Sequence, residues 1–156
     1  MLKPAWYLMD GDFLADTTPD PDDPDTEQIA TVYAAAAGIL GDEGFFDREH
    51  TMFAVRLGLL SATRLLDTAT HGAAIHDKDD LAHLLRGMAL LHAYLAQTAQ
   101  RLADNARIIV AMGAPADPIS RRVSDALATA GDGGEYVTSD LNRAYLALTG
   151  RSGGRS

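Results

Sequence analysis

The chain has 156 residues, of which 47% are hydrophobic, 22% charged and 6% aromatic, with no cysteine and a formal charge of -9. That length supports one well-buried core, and the ordinary apolar share excludes a disordered chain. The lack of cysteine excludes a disulfide or zinc-thiolate scaffold.

The acidity is local. Residues 1–46 hold ten acidic side chains and one basic one, Lys3, whereas residues 47–156 hold twelve of each sign. Electrostatic steering at the N-terminal third therefore favours a basic or cationic partner and repels phosphate backbones. Eleven of the thirteen basic residues are arginine, which together with the abundant alanine reads as the codon bias of a GC-rich bacterial genome.

Residues 1–25 read as an acidic arm. Trp6 to Leu14 place Asp10-Gly11 between two short apolar runs, which suits a small hairpin, with Trp6 and Phe13 as contact residues. Three prolines among the acidic residues from Pro19 to Asp25 then break helix and strand alike. The first nine residues lack the long apolar run and small-residue cleavage site of a secretory signal. Ile29 to Leu40, the longest apolar stretch, falls short of the roughly 20 residues that cross a bilayer. A cytoplasmic address without membrane contact is expected.

Residues 26–150 read as a helical domain. Asp25 with Gln28 resembles a capping box, and Ile29, Val32, Ala36 and Leu40 mark one face of a first helix that stops at Gly41. A second helix starts at Asp47. Met52, Val55, Leu59, Ala62, Leu66 and Ala69 form its seam, and Phe53, Leu57, Leu60 and Leu65 widen the apolar surface enough to predict burial on more than one side.

The third helix is the most informative. Leu81, Leu84, Met88, Leu91, Leu95, Thr98, Leu102, Asn105 and Ile109 occupy two seam positions of four unbroken heptads, so a helix from about Asp79 to Met112 would run roughly 50 Å. Beside that seam Ala82, Ala89, Ala96 and Ala103 share one heptad position, where small side chains let a second backbone approach closely. The helix reads as a bundle centre, a dimerisation spine, or both, with His92 near the interface.

After Gly113 to Pro118, a short helix over Ile119–Ala130, a turn at Gly131–Gly134 and a last helix carrying Leu141, Tyr145 and Leu148 are predicted. Residues 151–156 read as a flexible tail. The expected fold is all-α: a bundle of about five helices around one long central helix, preceded by the acidic arm.

Chemistry-bearing patterns are sparse. Asp47 to His50 and Asp80 to His83 put carboxylate and imidazole three apart on a helix face, a fragment of di-metal bundle logic. Both pairs lie in first helical turns, however, about 30 Å apart in consecutive antiparallel helices, which rules out a shared metal within one monomer. The plainer reading is that Asp47, Asp79 and Asp80 complement helix N-termini. His92, beside the seam, reads as a core or interface residue. No nucleophile elbow or phosphate loop is present, and the prolines at 21 and 24 contradict an EF-hand. Arg121 and Arg122 suit a helix-turn-helix only weakly.

The function expected is therefore that of a non-enzymatic helical interaction or adaptor protein, homodimeric and contacting a basic or cationic protein partner, with neither metal nor cofactor. The contact residues expected are Leu81, Leu84, Met88, Leu91, His92, Leu95, Leu102 and Asn105, together with Trp6 and Phe13. Two alternatives remain at this point. One is a ligand-binding bundle or metal-dependent enzyme using His92 or the Asp/His units; the other is a DNA-associated regulator acting through the C-terminal helices.

Overall fold

The computed structural model describes residues 22, 24–41, 47–71, 75, 77–111 and 118–150, with the side chains of 107 and 109–111 outside the description. The hairpin with Trp6 and Phe13, the tail and the side chain of Ile109 thus lie outside the described residues. Every described element is a helix: α1, Glu27–Leu40; α2, Arg48–His71; α3, Lys78–Ala111; and α4, Pro118–Thr149. The chain divides into two compact units, one holding α1 and α2 and the other α3 and α4.

In the first unit, α1 begins after Thr26, whose side chain makes no capping hydrogen bond, and ends as Gly41 donates its N–H to Ala37 O at 2.8 Å. α2 begins where expected, because Asp47 Oδ1 accepts the His50 N–H at 2.8 Å and satisfies one of the unpaired donors of the first turn. The expectation that α2 is buried on more than one side is not met: none of its residues is buried, and Met52, Val55, Leu59, Leu60 and Leu66 are exposed. The physical reason is that α1 is only 14 residues long and leans lightly on a helix of 24.

The second unit is an antiparallel helical hairpin. Asp77, not Asp79 or Asp80, caps α3, since its Oδ1 accepts the N–H groups of Asp79 and Asp80 at 2.8 and 2.9 Å. α3 runs for 34 residues, roughly 50 Å. The alanine stripe meets α4. Ala82, Ala89, Ala96 and Ala103 are all buried, and so are Ser124, Gly131, Thr138 and Tyr145, which recur every seven residues on α4. Ser124 Oγ donates to Ala103 O at 3.1 Å, and Gly131 lies against Ala96, so the two heptad stripes meet in opposite directions. Apart from Tyr145, every residue of both stripes is small, which lets the two backbones approach closely.

Here the structure corrects the sequence reading. Gly131–Gly134 is not a turn, and the two helices expected on either side of it form the single helix α4, giving four helices among the described residues in place of about five. Gly131 and Gly134 serve proximity, whereas Gly133 faces open space. A Cβ at Gly134 would fall 2.7 Å from Ala96 Cβ, and one at Gly131 would fall 2.5 Å from Gln100 Cγ and 3.1 Å from Ala96 O. Each glycine costs about 1 kcal/mol of helix propensity relative to alanine, and the backbone approach that it permits offsets that loss. The chain leaves α4 through Gly150, whose φ of 66° is the left-handed conformation that favours glycine after a helix.

The two buried hydroxyls of the stripe are satisfied differently, Ser124 across the hairpin and Thr138 within its own helix. Thr138, at 0% exposure, donates to Gly134 O at 2.8 Å. A fully buried threonine without that acceptor would lose about 1–3 kcal/mol.

Candidate functional site

The helical register sorts the hairpin into two unlike sides flanking the alanine contact. On one side lie polar positions. Gln100 Nε2 donates to Glu135 Oε1 at 2.8 Å, bridging α3 and α4, and this bond holds the Glu135 carboxyl below its ordinary range. Gln97, Arg101 and Asp104 of α3 and Asp125, Asp132 and Ser139 of α4 continue that side in the register.

The opposite side carries no Asp, Glu, Lys or Arg over four heptads, with His92 as its one titratable side chain. Next to the contact, Leu85, His92, Ala99 and Ala106 of α3 and Leu127, Gly134, Leu141 and Leu148 of α4 are half-buried. Farther out, α3 carries Leu81, Met88, Leu95 and Leu102, and α4 carries Val123, Ala130, Val137 and Ala144. Neither set contains Asp, Glu, Lys or Arg. Leu95 is 56% exposed, Leu102 50%, Val123 46% and Val137 42%. Of the residues expected to make contacts, Leu81, Met88, His92, Leu95 and Leu102 gather on this face. Leu84, Leu91 and Asn105 sit at its outer margin, Leu84 half-buried and Leu91 and Asn105 exposed. The leucine seam and the alanine stripe therefore have different roles: the alanines are consumed by α4, whereas Leu91, Leu95 and Leu102 stay exposed and Leu81, Leu84 and Met88 half-buried.

The Asp/His pairs divide. Asp47 Oδ1 accepts from His50 Nδ1 as well as from the His50 backbone, both at 2.8 Å; the backbone bond, followed by the side-chain bond, lowers the Asp47 pKa. His83 Nδ1 instead bonds the backbone oxygen of Asp79 at 2.9 Å, and His71 Nδ1 that of Asp67 at 2.8 Å. These histidines close helix turns. No group of three or more His, Asp or Glu suited to a metal ion occurs among the described residues.

A second apolar feature lies within the first unit, where Ile29, Val32, Tyr33 and Ala36 of α1 and Leu57 of α2 line an open groove of about 430 Å³. Gln28 and Ser61 also line it, and Ser61 returns its hydroxyl to Leu57 O at 3.0 Å. The helix-turn-helix reading loses its premise, because Arg121 and Arg122 stand at the start of one uninterrupted helix and no turn separates a recognition helix from a first helix.

No family model matches the chain, and no curated protein or solved structure matches it either. No helix among the described residues is long and apolar enough to cross a membrane.

Sequence reasoning found the alanine stripe and missed its partner. Ser124, Gly131, Thr138 and Tyr145 carry the same seven-residue repeat, and that shared period was the available signal. It was masked because serine, glycine, threonine and tyrosine do not read as one class in a hydrophobic pattern.

Proposed function

We propose that this protein is a non-enzymatic helical interaction protein of the bacterial cytoplasm that assembles as a homodimer and binds a basic or cationic protein partner. The observation that carries the reading is the charge-free face of the α3–α4 hairpin, with Leu95, Leu102, Val123 and Val137 exposed on it. Contiguous apolar patches of more than a few hundred Å² are uncommon on monomers and mark association sites. The acidic residues of positions 1–46 supply the attraction for a basic partner, since the remainder of the chain is balanced in sign.

The test is a photo-crosslinking amino acid placed at Leu95 in the living source cell, compared with the same group at Asp104 on the polar side. The reading predicts a discrete protein adduct from position 95 and little from position 104. Absence of any adduct from position 95 would refute it.

A further inference from the structure

We infer that the charge-free face of the hairpin is covered by the same face of a second copy, giving an antiparallel four-helix bundle in which two α3–α4 hairpins stack. This deepens the interaction reading above and rests on it.

Three observations select a second copy as the occupant. The first is electrostatic: a face with no Asp, Glu, Lys or Arg over four heptads offers nothing to an acidic or basic surface, and it matches one equally free of charge, which it is itself. The second is size. Helices of 34 and 32 residues give a face roughly 50 Å long and two helices, about 18 Å, wide, which is near the ~800 Å² per partner that a stable interface buries.

The third is shape. A two-fold axis parallel to the helices sets Leu95 of each copy opposite Ala130 of the other, and Leu102 opposite Val123, because Ala96 already lies level with Gly131 and Ala103 with Ser124 within one hairpin. Long side chains on α3 thus meet short ones on α4, and every helix runs antiparallel to its neighbours. The long helix then takes the central place its heptads imply. The charged opposite side stops further stacking, so the assembly closes at two.

The full chain is tested by sedimentation equilibrium between 1 and 100 μM. The expected mass is twice 16.6 kDa, and Leu95→Glu or Val137→Glu weakens association at least 100-fold, because each would leave carboxylates unpaired in an apolar interface. Ser139→Glu, on the polar side, leaves the dimer intact. A wild-type mass of 16.6 kDa at 100 μM, or a dimer indifferent to both face substitutions, overturns the proposal.

Should a glutamate variant fail to fold, the natural absence of cysteine allows a second measurement. Leu95→Cys protein mixed with Ala130→Cys protein and oxidised should give a mixed disulfide in high yield, whereas Asp104→Cys with Ala130→Cys should not. Equal yields refute the stated pairing. A monomer in these experiments that still gives a crosslinked adduct of another mass in cells refutes the second copy, and with it the homodimer, and leaves only the partner-binding part of the reading standing.

Discussion

Three alanine substitutions within four residues of α4 should separate by sign. Gly133 has nothing within 4 Å of a built Cβ, so Gly133→Ala gains the propensity difference and stabilises by about 0.5–1 kcal/mol. Gly134→Ala makes the same propensity gain but drives a methyl to 2.7 Å from Ala96 Cβ and 3.3 Å from Ala96 Cα. Relief there requires the two backbones to separate, and overpacking of that kind costs roughly 1–3 kcal/mol, for a net loss of up to about 2.5 once the propensity gain is subtracted. Gly131→Ala falls between. Its closest neighbour is the flexible Gln100 side chain at 2.5 Å, with Ala96 O at 3.1 Å. Moving Gln100 sacrifices its bond to Glu135, about 1 kcal/mol, and cancels the propensity gain. Urea unfolding followed by helical circular dichroism, at one protein concentration because association shifts apparent stability, would rank Gly133→Ala above wild type, Gly131→Ala near it and Gly134→Ala below. For a unit of this size 1 kcal/mol is about 4–8 °C in melting temperature. Equal stabilisation by Gly133→Ala and Gly134→Ala would refute the close helix approach.

Ser124→Ala should destabilise by about 1 kcal/mol, since the buried hydroxyl donates to Ala103 O across the hairpin; Ser124→Val should cost more, and denaturant midpoints would show both. Asp77→Ala removes the acceptor for two N–H groups of the first turn of α3 and should cost about 1 kcal/mol by the same measurement. The Glu135 carboxyl, lowered by the Gln100 hydrogen bond, contributes stability that is present above its unfolded pKa of about 4.3 and is lost as pH falls through the lower folded value. Wild type and Gln100→Ala should therefore differ in urea midpoint at pH 6, and the difference should shrink as pH falls below about 4.3; a constant difference from pH 6 to pH 3 would contradict that assignment. Added zinc should leave the melting temperature unchanged, because a ligand that binds only the folded chain must raise it.

What the sequence made legible follows from where periodicity is strong. The heptads from Leu81 to Leu102 located α3 to within a residue of its observed start, and the acceptor at Asp47 located the start of α2. The turn at Gly131 was misread because Gly-Asp-Gly-Gly is a breaker in isolation. In the hairpin Gly131 and Gly134 are where Ala96 comes closest, a tertiary effect that overrides local propensity. The burial of α2 was misjudged for a related reason. An apolar circumference shows what a helix can bury, while the partner that would bury it is a separate fact, and α1 is too short and too lightly packed to do so. For the candidate site, the leucines and alanines of α3 were visible as neighbouring stripes; which of them meets α4 was decided by the small residues of α4.

On this reading α4 occupies the alanine stripe, and the adjoining leucine face is covered by a second copy. The most direct measurement is the rate of thiol labelling at Leu95→Cys across protein concentration, in a chain with no other cysteine. Position 95 is 56% exposed in the single chain whereas neighbouring Ala96 is 3% exposed. The account predicts fast labelling at high dilution and protection of tenfold or more, on the order of 1.4 kcal/mol, at concentrations where the dimer forms. A labelling rate that stays the same from nanomolar to 100 μM protein would contradict it.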